Sequence, residues 1–83
     1  MNGTAIKVLY FARVAELVGK RAEELPLSAP ISGSLWLVEL QNRYPELGSV
    51  EHLKLAVNQF HVAHSALINP GDEVAVFEPV TGG

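Results

Sequence analysis

Gly82 and Gly83, the last two residues of the sequence, have the type and position of a group that is presented to another protein. Glycine averages about 7% of residues, so a terminal Gly-Gly pair arises by chance in roughly 0.5% of chains. Because glycine has no β-carbon, this end of the chain is narrow and its backbone can adopt φ values that other residues avoid. It can therefore enter a channel too tight for other residues and present its carboxylate to an enzyme. The competing interpretation is a mobile terminus without a role.

Cysteine is absent from the sequence. This excludes a disulfide scaffold, a thiolate zinc site and a cysteine nucleophile. Any sulfur chemistry must therefore be carried by a group other than a cysteine side chain.

The three histidines do not have the spacing of metal ligands. His61 and His64 are three residues apart in or beside a predicted strand, where side chains at that spacing point to opposite faces. His52 has no acidic or histidine partner at ligand spacing. We therefore predict no metal site and no bound cofactor, with the histidines at the surface or in turns.

The carboxylates also lack a catalytic arrangement. Glu23 and Glu24 are adjacent in a predicted strand, so they point to opposite faces, and Asp72 and Glu73 lie at a predicted turn. No pair is placed for acid–base work, and no Ser, His and Asp set has triad-like spacing. A solvated surface is the expectation for all of them.

Composition indicates one small globular domain. The 83 residues are 48% hydrophobic and 18% charged, with a net charge of -3. No run of Lys or Arg exists to follow nucleic-acid phosphates, no apolar run is long enough to span a membrane, and residues 1–4 lack the features of a signal peptide. We expect a cytoplasmic protein that binds neither nucleic acid nor membrane.

Hydrophobic periodicity predicts mixed helices and strands. In chain order these are a strand over 5–11, a helix over 12–18, a strand over 22–27, a helix ending at Tyr44, short strands over 53–57 and 60–62, and a strand over 73–77. Gly19 is the expected stop of the short helix, and Ser32 or Ser34 the expected N-cap of the long one. The order favours an α+β fold with one main helix on one sheet face.

Several side-chain environments follow from the same pattern. The second face of the strand 5–11 is expected to be largely buried, and Pro26 places its strand at a sheet edge. Val74 and Val76 should face the core, away from Ala75 and Phe77. Two turns are predicted, at 58–59 and at 69–72.

Several segments together resemble the small subunit of molybdopterin synthase. They are Ile6-Lys7-Val8-Leu9-Tyr10-Phe11-Ala12, Glu16-Leu17 with Gly19, Ala56-Val57-Asn58-Gln59, Leu67, Pro70-Gly71-Asp72-Glu73-Val74-Ala75-Val76 and Pro79-Val80-Thr81-Gly82-Gly83. The strand that leads into Val-Thr-Gly-Gly is the most specific part. One departure is Glu78, where the family often has the first of two prolines, and this predicts a slightly less stiff tail.

The resemblance implies a β-grasp, ubiquitin-like fold, with a mixed sheet of about five strands on one main helix. Residues 1–79 would form the domain and 80–83 an extended flexible tail. It also implies that an ATP-dependent enzyme of the ubiquitin-activating type adenylates the carboxylate of Gly83. A sulfur donor protein then makes the thiocarboxylate. The large synthase subunit, in a heterotetramer, would receive the tail and pass the sulfur to cyclic pyranopterin monophosphate.

The resemblance places the catalytic side chains in the partners. This chain would contribute Gly83, with Gly82 beside it, and a docking surface of Phe11, Phe77 and Pro79 with the inserted residues Val80 and Thr81. Lys7, Arg13 and Glu16 could form ion pairs at its rim. For Phe77 an ordinary core position is the competing interpretation, whereas Leu37, Leu40 and Val76 are assigned to the core only.

Three other functions stay open on the sequence. The chain could carry sulfur for thiamine or for tRNA thiolation, since those carriers share the Gly-Gly end. It could be a protein modifier that is conjugated to lysines through Gly83. It could also be a structural domain whose tail has no role.

Overall fold

The computed structural model describes residues 4–79 of the chain. This part contains seven strands, two α-helices and one 3₁₀ turn. The strands are β1 Ala5–Tyr10, β2 Ala22–Pro26, β3 Ile31–Ser32, β4 Lys54–Val57, β5 Phe60–Val62, β6 Leu67–Ile68 and β7 Glu73–Phe77. The helices are α1 Ala12–Val18 and α2 Gly33–Arg43, and the 3₁₀ turn is Pro45–Leu47. Neither α-helix of the described part is long and apolar enough to cross a membrane.

Five strands form one mixed sheet in the order β2-β1-β7-β4-β5. β1 and β7 run parallel, and the other neighbours are antiparallel. β3 and β6 form a separate two-stranded sheet. The predicted α+β, β-grasp architecture is confirmed, as is the edge position of the strand that contains Pro26. The last strand, β7, occupies the centre of the main sheet.

The core lies between the sheet and the main helix. Val74 and Val76 of β7 are fully buried, as predicted, and Leu37 and Leu40 of α2 are buried in the same cluster. Burial of such side chains contributes about 1.5–3 kcal/mol each.

The prediction for the second face of β1 is wrong. Lys7 and Phe11 are exposed and Leu9 is only half-buried, whereas Ile6 and Val8 on the other face are buried. The main helix covers one face of the sheet, and in residues 4–79 no second layer packs on the other. We call this uncovered side the outer face.

The helix ends follow local capping chemistry. α1 has the predicted bounds, and Gly19 closes it with a φ of 90° while its N–H donates to the carbonyl of Ala15. At the start of α2 the hydroxyl of Ser32 accepts a hydrogen bond from the N–H of Leu35. The helix ends at Arg43, one residue before the predicted end, and Tyr44 is its C-cap.

Two turns hold the start of β7 in place. Asn58 and Gln59 both have positive φ, 51° and 74°, so they form the predicted two-residue turn between β4 and β5. The Asn58 side chain donates to Asp72 over 3.0 Å and accepts from the N–H of Glu73 over 3.0 Å. The 58–59 turn is thus tied to the 69–72 turn, from which β7 begins.

Candidate functional site

The site is the end of β7, where the chain leaves the sheet toward the tail. Tyr10 of β1 pairs with Val76 on one side, and Lys54 of β4 pairs with Phe77 on the other. The N–H of Phe11 donates to the carbonyl of Val76 over 3.4 Å. We call Phe77, Glu78 and Pro79 the tail root. Strands on both sides hold β7 up to the point where the tail root begins. Val80, Thr81, Gly82 and Gly83, which the sequence places in the tail, lie outside the described residues.

Phe11 and Phe77 both lie at the end of the outer face from which the tail leaves. Phe11 follows Tyr10 in extended conformation, with φ -124° and ψ 146°, so its side chain points away from the core that holds the Tyr10 ring. In the parallel register Tyr10 pairs with Val76, so Phe11 and Phe77 each follow one member of this pair at the same end of the sheet. Phe11 is 49% exposed, whereas Phe77 is half-buried with its ring 5.3 Å from that of His61.

An apolar surface extends from these two rings across the outer face. Leu9 pairs with Ala75, and Ala75 pairs with Ala56, so the three side chains form one row across the sheet. The outer patch consists of Leu9, Phe11, Ala75 and Phe77, of which Phe11 is exposed and the other three are half-buried, whereas Ala56 at the end of the row is buried. A patch of this kind is typical of a surface that binds a partner.

Pro79, the third predicted docking residue in the described part, is exposed at the edge of an open depression. His52, Lys54 and His64 line the same depression. The structure thus brings Phe11, Phe77 and Pro79 to one end of the sheet. Whether they dock a partner stays a prediction.

Charged groups also surround the tail root. The carboxylate of Glu78 lies 3.7 Å from Nε of Arg13 and 3.6 Å from Nε2 of His52. Arg13 was expected in a rim ion pair, but the sequence did not indicate its partner. Lys7 and Glu16 make no ion pair within residues 4–79.

The expectation of a solvated surface is wrong for Glu23. Its Oε2 accepts hydrogen bonds from the hydroxyls of Tyr10 and Tyr44, both over 2.6 Å, and Lys20 lies 3.3 Å from Oε1. Only 14% of the Glu23 side chain is exposed. The strand pattern could not reveal this cluster, because its members come from three separate parts of the chain.

Two opposing effects set the ionisation of this cluster. Burial alone would raise the pKa of Glu23, but the hydrogen bonds from Tyr10, Tyr44 and Lys20 outweigh it and lower that pKa. Burial, followed by the bond to Glu23, raises the pKa of Tyr10. Glu23 is therefore ionised and both tyrosines are protonated at neutral pH. This arrangement stabilises the fold and holds no group poised for proton transfer.

The histidines lie where strand geometry puts them. His61 is exposed on the outer face beside Phe77, and Nε2–H of His64 donates to the carbonyl of Leu53 over 2.6 Å. In the described range 4–79 no three His, Cys, Asp or Glu side chains come close enough to hold a metal ion. Among residues 4–79 the arrangement offers a candidate binding surface at the end of β7.

Comparison with known proteins points to one family. The ThiS family model matches residues 8–83. The molybdopterin synthase sulfur carrier subunit of Escherichia coli is 41% identical over 80 residues, covering 94% of this chain and 99% of the relative. The human sulfur carrier subunit is 35% identical over 82 residues, covering 94% and 93%.

A solved structure with a different name has the same fold. Small archaeal modifier protein 1 of Haloferax volcanii superposes with a TM-score of 0.77 at 25% identity, covering 94% of this chain and all of that one.

Proposed function

Because the chain belongs to the ThiS family, we propose that it is the ubiquitin-like sulfur carrier subunit of a molybdopterin synthase, with Gly83 as the group that carries sulfur. The relatives that carry this name match almost end to end. The observation that supports the proposal most is the position of β7. The central strand of the sheet leads toward the Gly-Gly tail, near the exposed Phe11 and the half-buried Phe77.

The chemistry begins at a carboxylate that needs activation. A free carboxylate is a poor electrophile, so a partner enzyme of the ubiquitin-activating type joins the Gly83 carboxylate to AMP from ATP and releases pyrophosphate. Sulfide from a donor protein then attacks the acyl carbon and displaces AMP, which leaves a thiocarboxylate. No oxidation or reduction occurs at Gly83 in either step. The absence of cysteine suits a carrier that holds sulfur on its terminus.

Delivery requires that the tail enter a partner. In the proposal, Val80, Thr81, Gly82 and Gly83 enter the large synthase subunit, while Phe11, Phe77 and Pro79 contact its surface. The thiocarboxylate then passes its sulfur to cyclic pyranopterin monophosphate, and water attacks the acyl carbon so that the C–S bond breaks and the Gly83 carboxylate is restored. Two such deliveries complete the dithiolene. We further propose a cytoplasmic heterotetramer, with two copies of this chain at opposite ends of a large-subunit dimer.

A second function is favoured by one observation. The likeness to small archaeal modifier protein 1 fits a chain that is conjugated to other proteins through its terminus. Such a modifier would use the same activated Gly83 carboxylate, but a lysine amine would attack it in place of sulfide.

Mass spectrometry of the chain co-expressed with its activating enzyme and sulfur donor tests both functions. A carrier gains the mass expected when sulfur replaces one terminal oxygen, and a chain that lacks Gly82-Gly83 gains nothing. Heavier conjugates of the chain with other proteins would support the modifier instead. If the chain stays unmodified in the presence of both enzymes, the proposed function is wrong.

A further inference from the structure

Glu78, which follows β7 directly, lies between two basic side chains that converge on one of its oxygens. Oε2 of Glu78 is 3.7 Å from Nε of Arg13 and 3.6 Å from Nε2 of His52. At these separations the groups attract each other without a direct hydrogen bond, and His52 adds charge only when protonated. We propose that Arg13, His52 and Glu78, here called the root clamp, act as positioning residues that fix the direction in which the chain leaves β7.

The two basic groups approach from opposite sides of the sheet's central strand. Arg13 lies in the first turn of α1, just after β1, and the N–H of Phe11 ties this junction to Val76 of β7. His52 precedes β4, the neighbour of β7 on the other side. When His52 is protonated, the carboxylate is attracted from both sides and resists lateral movement in either direction. One pair alone would restrain it in a single direction.

The clamp acts where the sheet stops restraining the chain. Phe77 is the last residue of β7 with a strand partner, Lys54 of β4. Pro79 restricts its own φ and disfavours helical backbone at Glu78, but it does not fix the lateral direction. In the family pattern a proline often stands where this chain has Glu78. The sequence alone therefore indicates a looser tail, whereas the structure supplies an electrostatic restraint in place of the ring.

The size of the effect is limited by exposure. The side chains of Arg13, His52 and Glu78 are 67%, 51% and 36% exposed, so solvent screens both pairs. A less ordered tail root must be ordered when the tail enters a partner, and this weakens binding rather than the chemical step. We expect loss of the clamp to raise KM for the activating enzyme about two- to fivefold and to leave kcat unchanged. This inference rests on the proposed function for its kinetic consequence only.

Two substitutions at one position separate restraint from direct contact. Glu78→Gln removes the charge, and Glu78→Pro removes the charge but restrains the backbone through its ring. The N–H of Glu78 makes no hydrogen bond with any residue in 4–79, so proline removes none there. Glu24→Gln is the matched control, because Glu24 is an exposed glutamate of the edge strand β2.

The test combines order at the tail root with kinetics. The ¹H–¹⁵N heteronuclear NOE of the Val80 amide in the isolated chain reports order, and steady-state adenylation gives KM and kcat. Glu78→Gln should lower the NOE and raise KM, Glu78→Pro should restore both, and Glu24→Gln should change neither.

Two results would overturn the clamp. One is an unchanged NOE in Glu78→Gln. The other is a raised KM in Glu78→Pro despite a restored NOE, since the carboxylate would then contact the partner itself. If the wild-type chain is not adenylated at all, the proposed function fails, and the NOE comparison alone still decides the clamp.

Discussion

At the scale of single residues, the Glu23 carboxylate joins distant parts of the chain. It accepts hydrogen bonds from Tyr10 of β1 and from Tyr44 after α2. The two tyrosine rings pack edge to face, with 6.4 Å between their centroids. Edge strand β2 is thereby attached to the sheet and to the end of the main helix. Hydrogen bonds to a charged group contribute more than neutral ones, about 1.5–3 kcal/mol.

Replacement of Glu23 by glutamine should lower the free energy of unfolding by about 1–3 kcal/mol, because two part-buried hydroxyls lose a charged acceptor. Glu24→Gln on the same strand should change it by less than about 0.5 kcal/mol. Urea denaturation at neutral pH measures both. Equal effects of the two substitutions would mean that the cluster does not contribute to stability.

Acid should remove the contribution of Glu23. Its pKa is lowered in the folded state, so the unfolded state binds a proton first as pH falls. The stabilisation is complete above the ordinary glutamate pKa and is lost as pH falls below it and through the lower folded value. The stability difference between wild type and Glu23→Gln should therefore shrink across this range. A difference that stays constant or grows would contradict the assignment.

At the scale of elements, the start of α2 depends on the absence of a side chain. Gly33 is buried, and a β-carbon there would lie 2.7 Å from Cδ1 of Leu55 and 3.0 Å from the carbonyl oxygen of His64. The N–H of Gly33 donates to the carbonyl of Ala66, which holds the helix against the 63–66 loop. A side chain at residue 33 would require shifts of the Leu55 side chain and of the main chain at His64, so glycine allows the close approach of the helix to this loop and β4.

The change Gly33→Ala should destabilise the chain by about 1–3 kcal/mol, despite the better helix propensity of alanine, because the main chain near His64 must move. Asn42→Ala, at an exposed position of the same helix, is the control and should be within about 0.5 kcal/mol of wild type. Thermal unfolding of both variants tests this. A stabilised Gly33→Ala variant would contradict the packing at this site.

The periodicity of apolar residues predicted the long elements, but it missed the elements that are too short to show a repeating pattern. The alternation in 73–77 placed Val74 and Val76 in the core, and Gly19 marked the end of α1. β3 and β6 have two residues each, too few for a pattern, and only their pairing defines them. The second face of β1 was judged from its apolar residues, but what covers a face depends on the whole fold.

Some residues of the candidate site were predicted from the sequence and others were not. Phe11, Phe77 and Pro79 were found from the resemblance and from their nearness to the tail. The partners of Glu78 were not found, because Arg13 and His52 are 65 and 26 positions away in sequence and meet only through the strand order.

At the scale of the whole molecule, α2 covers one side of the sheet and the outer patch lies on the other. The patch adjoins the tail root, so under the proposed function we expect a partner that binds it to receive the tail as well. The exposed apolar residues Leu35 and Val38 lie on α2, which packs on the opposite face of the sheet. This separation provides a control surface for binding experiments.

The substitution Phe11→Asp should weaken binding to the large synthase subunit by about 30-fold or more, the loss typical of a central aromatic contact. Leu35→Asp, at a position 61% exposed on α2, should bind as wild type does. Isothermal titration calorimetry measures both affinities, and circular dichroism checks that each variant is folded. If Leu35→Asp weakens binding and Phe11→Asp does not, the partner uses the helix side.

The central claim is that sulfur travels on Gly83, and isotope transfer tests it most directly. The chain is prepared as a Gly83 thiocarboxylate with isotopically labelled sulfur, then mixed with the large subunit and cyclic pyranopterin monophosphate. The account predicts that the dithiolene product contains the label at both sulfur positions and that two chains return to the carboxylate for each product formed. Product without label, or equal product from a chain lacking Gly82-Gly83, would contradict it.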